Sequence, residues 1–378
     1  MLYLDHAATT PMRPEARAAM APYLNGEFGN PSGMHAVSRR AKDALEDARE
    51  RLAHLLGAAH PLDVVFTGGG TESDNLGVAG PALAGGRRGV VTTPVEHAAV
   101  LDTARFLAGL GCAVEIVAVD DQGRVDPEAV AASVGPATRV VSVMTANNET
   151  GVVQPVAQVA AAVRKDHPNV VVHSDAVQAL ASRPVGLGTL GVDLLTVASH
   201  KVGGPTGVGA LVLRGGIDLE PIIHGGGQEL GRRSGTHDVA GIVGMVAAIE
   251  AAVADRDRFV NDVGEARKRF ETALAAAIPD AVFTIDDEVD RLVQHSHFRV
   301  PGVDAETLLI RLDTLGVAAS AGSACHSGAR EVSHVLGAMG MAPAAAAECV
   351  RFTFGWTTRR GDGDDAADAM ASALEGLR

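Results

Sequence analysis

Lys201 closes an apolar stretch and opens a turn carrying glycines at 203, 204, 207 and 209. The residues before it, Leu194-Leu195-Thr196-Val197-Ala198, read as a buried strand, and Val208 to Leu213 reads as another. A lysine at the end of a buried strand loses water. That lowers its pKa and frees the amine, which can then form a Schiff base with a carbonyl. On this stretch alone, a surface lysine in a turn explains the pattern equally well. A second chemical signal is the strand Asp63 to Thr67, followed by Gly68-Gly69-Gly70-Thr71 and a helical pattern. A strand, a glycine turn and a helix start present free N–H groups and partial positive charge, which suit a phosphate. Thr71 is placed to cap the helix and to donate its hydroxyl. The spacing fits neither the dinucleotide fingerprint nor the Walker A loop, and a plain tight turn is the alternative. A third signal is Cys325, set in Ser320-Ala321-Gly322-Ser323-Ala324-Cys325-His326-Ser327. Polar and small neighbours favour a reactive thiol, whereas Cys112 and Cys349 sit in apolar contexts and read as inert. The fourth is Arg351, inside the apolar run Val350 to Phe354. It needs an anionic partner, and a substrate carboxylate fits its fork.

The elements that must hold these residues alternate between strand and helix. Strands are expected at Gly89–Thr93, Ala113–Val117, Arg139–Thr145 and Val170–Asp175, with helices after His97, at Asp126–Val134 and at Pro155–Lys165. This rhythm, with apolar strands, implies a mainly parallel sheet covered on both faces. Ligands bind such sheets beyond the carboxyl ends of the strands. His97, Asn148, Asp175, Gln178, Lys201 and the Gly70-Thr71 turn all follow strand ends, and this agreement favours the chemical reading of Lys201. His6 reads as a capping or packing histidine. Helices at Ser38–Leu56, Val239–Ala254 and Val263–Ala277 precede a change of order, with strands at 282–285, 293–300 and 349–354 and helices at 304–315 and 362–377. The expected division is a large domain of residues 14–254 and a smaller α+β domain of residues 1–13 and 255–378.

Composition excludes several classes. A chain of 378 residues that is 47% hydrophobic has length and apolar content enough for a real core, and at 3% aromatic that core should be aliphatic. The net charge of −14 with no basic run argues against nucleic acid. No run is long enough to span a bilayer, and the N-terminus lacks the features of a signal peptide, so a cytoplasmic protein is expected. Three cysteines are too few and too scattered for a disulfide framework or a zinc site, and no resident metal is expected.

Together these motifs resemble the cysteine desulfurases of the class V aminotransferase group of pyridoxal-phosphate enzymes. The resemblance spans nearly the whole chain: YLDHAATTP at 3–11, GGTESDNL at 69–76, EHAAV at 96–100, NNETG at 147–151, HSDAVQ at 173–178, SHKVGGPTGVGAL at 199–211, HGGGQE at 224–229, RRSGT at 232–236 and SAGSACHS at 320–327. It implies an α/β fold with a seven-stranded-type sheet and pyridoxal 5'-phosphate as cofactor. It also implies L-cysteine as substrate, a persulfide on Cys325, L-alanine as product, and a sulfur-acceptor protein for iron–sulfur assembly or tRNA thiolation. Cys325 could also ligate a cluster in passing.

By the same resemblance, Lys201 would hold the cofactor and move the Cα proton, Asp175 would pair with the ring nitrogen and Gln178 with the ring hydroxyl. His97 would stack on the ring. Gly70, Thr71 and His200 would take the phosphate, and Asn148 and Arg351 the substrate carboxylate. Thr236 would reach the phosphate of a second subunit, which implies a homodimer. Many relatives carry serine where this chain has Ala198, so Ser199 is expected to supply that contact. The tail by which some relatives dock the iron–sulfur scaffold is not expected here. A lyase or aminotransferase of the same fold would need the same set without Cys325, and a non-catalytic scaffold would need none of it.

Overall fold

Every residue of the stretches Val64–Thr67, Gly89–Thr92, Val171–Asp175, Leu194–Ala198 and Gly209–Leu213 is buried, as strands covered on both faces must be. The protein is described here from a computed structural model covering residues 1–85, 88–322 and 333–377. Its central sheet has seven strands: β1 (Val64–Thr67), β2 (Gly89–Thr92), β3 (Val114–Ile116), β4 (Thr138–Ser142), β5 (Val171–Asp175), β6 (Leu194–Ala198) and β7 (Gly209–Leu213). Across the sheet they run β1-β7-β6-β5-β4-β2-β3. Neighbours are parallel from β6 to β3, and β7 is antiparallel to both β1 and β6. The mainly parallel sheet expected from the alternating pattern is therefore present.

Local chemistry sets the ends of the elements. The helix Ala36–Leu56 begins where the His35 ring accepts from Ser38 N–H, and it stops at Gly57, whose φ of 74° suits glycine. At β7 a glycine is required for a different reason. A Cβ on Gly209 would come within 2.6 Å of the Gly69 backbone, so only glycine lets β7 pass the turn after β1. The helix Pro14–Leu24 had no counterpart in the sequence pattern. Among its eleven residues only Ala16 is buried, so it shows no apolar stripe. Met20 on this helix seats against Gly244 of the helix Val239–Ala254, where a Cβ would come within 2.5 Å of Met20 Cγ.

Asp255 separates the helix Val239–Ala254 from the helix Arg256–Ala277. Beyond it lies a three-stranded antiparallel sheet, in the order Cys349–Thr353, His295–Arg299, Val282–Phe283. The first residues of the chain join this part: Leu2–Tyr3 pairs in parallel with Val317–Ala318, and Asp5 bridges Thr353. The aliphatic core expected from composition holds around the large sheet but not here. Phe270 stacks on Phe352 with ring centroids 5.0 Å apart and lies 5.5 Å from Phe298. The few aromatics of the chain are thus concentrated where a small sheet meets one helix, and large rings fill that space with few residues. One apolar core runs unbroken from Leu4 to Leu374. No helix among the described residues is long and apolar enough to cross a membrane.

Candidate active site

The carboxyl ends of the parallel strands open into a cavity of about 700 Å³. Gly70, Thr71, His97, Asn148, Asp175, Gln178, His200, Lys201 and Arg351 all line it. The ends of β1, β2, β4, β5 and β6 and the segments that follow them deliver eight of these residues, and Arg351 arrives from the middle of the strand Cys349–Thr353.

Lys201 ends a single turn of 3-10 helix after β6. Its Nζ donates to the carbonyls of Ala7 and, at 2.9 Å, Ala8. Burial brings its pKa down to about 8, helped by the charge of Arg351 and opposed by Asp175 and Asp5. A sizeable share of free amine is therefore available near neutral pH. Asp175 ends β5, and its Oδ1 accepts from Val177 N–H at 2.8 Å. Burial raises its pKa, while His97 and Lys201 hold it down. His97 caps the helix Ala98–Gly109: Nδ1 accepts from Ala99 N–H at 3.1 Å. Burial lowers its pKa, and a neutral ring accepting at Nδ1 carries its proton on Nε2. Gln178 donates Nε2 to the Ala7 carbonyl at 3.0 Å. The pKa of His200 falls to about 4 through burial and the nearby Lys201 charge.

Arg351 is almost fully buried, and its guanidinium is already engaged. Nη2 donates to Asp5 Oδ1 at 2.7 Å, and Nη1 to the carbonyls of Asn148 at 2.8 Å and Gly322 at 3.4 Å. Nε is buried without a partner among the described residues. The anion this arginine was expected to need is thus supplied partly by the chain itself.

Several expectations are corrected. Ser199 does not line the cavity: its Oγ is buried without a hydrogen-bond partner and lies against Gly204, where a Cβ would come within 2.1 Å of it. Adjacent residues at a strand end point to opposite sides, so the position of Ala198 faces the cavity and that of Ser199 faces away. The contact expected from Ser199 is therefore not made. Thr71 does not cap the helix Gly70–Leu83. Gly69 stands at the N-cap with φ 141°, and Glu72 Oε2 takes the Gly68 N–H at 2.7 Å. Thr236, expected to serve the site of a second subunit, is exposed and does not line this one. Cys325 and His326 lie outside the described residues. Cys112 and Cys349 are buried, and burial pushes the Cys349 thiol up to about 11, in keeping with its inert reading.

Residues that sequence reasoning passed over also line the cavity, among them Asp5, Asp74, Glu149 and His334. Glu149 accepts from Ser333 Oγ at 2.6 Å, and burial raises its pKa. The Ala7 and Ala8 carbonyls were missed as well, because no side-chain pattern marks a backbone acceptor. For Asp5 a signal existed: it stands three residues before Ala8 in the motif that carries the family likeness.

Residues 2–363 match the family model for class V aminotransferases. The chain belongs to the class V aminotransferase family. Within that family its curated relatives include the cysteine desulfurase IscS of Dictyoglomus turgidum, 40% identical over 379 residues covering 100% of this chain and 95% of the relative. An IscS-like cysteine desulfurase of Mycobacterium tuberculosis is 41% identical over 386 residues, covering 100% of this chain and 97% of the relative. Among solved structures, a NifS-like protein superposes with a TM-score of 0.91 at 33% identity, covering 99% of each chain. The structural match thus extends through all three sheets.

Proposed function

We propose that this class V protein is a pyridoxal-phosphate-dependent cysteine desulfurase, which converts L-cysteine to L-alanine and leaves the sulfur as a persulfide on Cys325. One observation carries the reading: a lysine amine with a pKa near 8, a buried carboxylate and a buried arginine converge on one cavity at the ends of a parallel sheet. The donor set fits the cofactor. The first turn of the helix Gly70–Leu83 offers backbone N–H groups to a phosphate. A Cβ on Gly70 would press on Val177 Cγ2 at 3.1 Å and on Ala198 Cβ at 3.3 Å, so glycine keeps that cradle open.

In this reading Lys201 holds the cofactor covalently, and Gly70, Thr71 and His200 take its phosphate. Asp175 would keep the ring nitrogen protonated, Gln178 would bond the ring oxygen and His97 would stand against the ring. When bound, the cofactor supplies an electron sink that weakens the bonds at the substrate Cα. Once the substrate amine has displaced it, Lys201 Nζ would take up the Cα proton, its lowered pKa leaving more of it unprotonated. Arg351 and Asn148 orient the substrate carboxylate. The Cys325 thiolate attacks the substrate sulfur. The S–S bond forms as the C–S bond breaks, its electron pair passes to carbon, and protonation there yields alanine. The sulfur then moves to an acceptor protein serving iron–sulfur assembly or thiolation of tRNA or a cofactor. The working unit is a homodimer in which Thr236 reaches the phosphate of the partner site. Residues 14–254 form the cofactor domain, and residues 1–13 and 255–378 form a smaller domain carrying the Cys325 segment. A cytoplasmic location suits an enzyme whose thiol must stay reduced.

The test is incubation with L-cysteine and a reductant. Sulfide and alanine should appear in equal amounts, and a brief pulse without reductant should add one sulfur atom to the Cys325 peptide. Cys325→Ser should bind the cofactor normally and release almost no alanine. Normal turnover by that variant would replace this reading with a lyase that does not need Cys325, and extra sulfur on Cys112 or Cys349 would overturn the assignment of Cys325 as the sulfur acceptor.

A further inference from the structure

Two carboxylates have a claim on one guanidinium. Asp5 Oδ1 is 2.7 Å from Arg351 Nη2, in a pair whose side chains are 5% exposed at the arginine and 22% at the aspartate. Both residues line the main cavity. Nη1 is occupied by backbone carbonyls, and Nε has no partner among the described residues. A carboxylate entering to bind Arg351 would meet Nη2, which already serves Asp5. It would then share the cation with Asp5 and lie within a few ångströms of a like charge.

We propose that Asp5 is a specificity-determining residue for the substrate carboxylate: it fixes the guanidinium and offsets part of its charge, so that the site grips carboxylates weakly. This rests on the reading of Arg351 as the carboxylate-binding residue. The device has a use in a reaction whose substrate and product carry the same carboxylate. A strong grip would hold L-alanine as firmly as L-cysteine, and such uniform binding does not speed the chemical step. A guanidinium already partly neutralised orients the amino acid and still lets the product go. Asp5 is well placed for this role, because its backbone belongs to the segment whose Ala7 and Ala8 carbonyls hold Lys201.

The experiment is calorimetric titration of the holoenzyme with L-alanine, using the wild type, Asp5→Asn and Arg351→Gln. Asparagine keeps an oxygen for Nη2 and removes the charge. Asp5→Asn should bind L-alanine roughly tenfold tighter or more, the scale of one like-charge repulsion at short range. Its KM for L-cysteine should fall with the affinity, while kcat does not rise. A purely structural role predicts weaker binding, so unchanged or weaker binding overturns the proposal. Arg351→Gln should lose most of the affinity. If it binds L-alanine as the wild type does, the reading of Arg351 falls and the proposal falls with it. A measurement on the wild type alone covers the case in which Asp5→Asn does not fold. L-alaninamide, compared with L-alanine at equal free-amine concentration, should bind less than tenfold more weakly. A loss of a hundredfold or more would mean that Arg351 acts at full charge, contrary to the proposal.

Discussion

Two banks of residues meet at the cavity, and they are built on different principles. One bank is the row of strand ends, with Gly70 and Thr71 after β1, His97 after β2, Asn148 after β4, Asp175 on β5 and Lys201 after β6. The other bank is the segment Asp5–Thr10, which contains no helix and only a single bridge residue. The strand-end bank supplies reactive side chains from a rigid sheet. The N-terminal bank supplies mostly acceptors: the Ala7 carbonyl to Lys201 and Gln178, the Ala8 carbonyl to Lys201, and Asp5 to Arg351. The sheet decides where each side chain starts, and the segment decides where it points. A lysine Nζ at the end of four methylenes has much rotamer freedom, and two carbonyls on one rigid segment remove most of it.

The largest effects should come from the strand-end bank. Lys201→Ala should abolish borohydride-stable attachment of pyridoxal phosphate, and turnover should fall by at least the roughly 10²–10⁴-fold that a general base contributes. Reductive labelling of any other lysine in the wild type would break the comparison at its strongest point. Arg351→Gln comes next, because Arg351 joins the two banks. Removing one partner of a buried ion pair strands the other, and the cost should be about 3 kcal/mol, the lower end of the range because Asp5 is partly exposed. The melting temperature should drop by a few degrees. The pH profile should move as well. Burial is the main cause of the low Lys201 pKa and the Arg351 charge is the second, so removing that charge lets the ammonium persist to higher pH. The rate at which apoenzyme attaches pyridoxal phosphate should rise through a pH near 8 in the wild type and through a higher pH in Arg351→Gln. A midpoint that stays put or moves down would show that Arg351 does not act on Lys201.

The strand-end bank was legible because a parallel sheet converts one-dimensional order into position. A buried apolar run predicts a strand, and whatever follows it must stand at one edge. His97, Asn148, Asp175 and Lys201 needed no further information. The limit shows at Ser199, where being adjacent in sequence to the expected position was taken as nearly the same as occupying it. At a strand end one residue is the difference between facing the cavity and facing the core. The N-terminal bank was not legible for another reason. Asp5 and Arg351 are 346 positions apart, and no periodicity connects them. His6 drew attention because histidine is a chemical residue. Yet its Nδ1 has no hydrogen-bond partner, and its pKa falls to about 4 by burial, whereas the unremarkable Ala7 and Ala8 hold the lysine. Similarly, the helix Pro14–Leu24 escaped notice because its four alanines carry helix propensity without a stripe.

The smallest effect is the one that separates the two banks most cleanly. Thr10 is the last residue of the N-terminal segment. Its Oγ1 donates to the His200 carbonyl at 2.7 Å, and its N–H reaches the same oxygen at 3.1 Å. Thr9 Oγ1 lies 3.2 Å from His200 Nδ1, so His200 is the point where the segment is tied to the turn that carries Lys201. Thr10→Val keeps the shape and the backbone bond and deletes only the hydroxyl. The direct cost should be about 1 kcal/mol, one ordinary hydrogen bond, and one to a few degrees in melting temperature for a chain of this size. If the segment orients the site, the loss should reach chemistry as well. His200 would be held less firmly, pyridoxal phosphate would dissociate several-fold faster, and kcat would fall more than KM changes. Should stability fall by that amount while cofactor release and kcat stay as in the wild type, the segment would be a tether for the chain end, and the strand-end bank would position its own side chains.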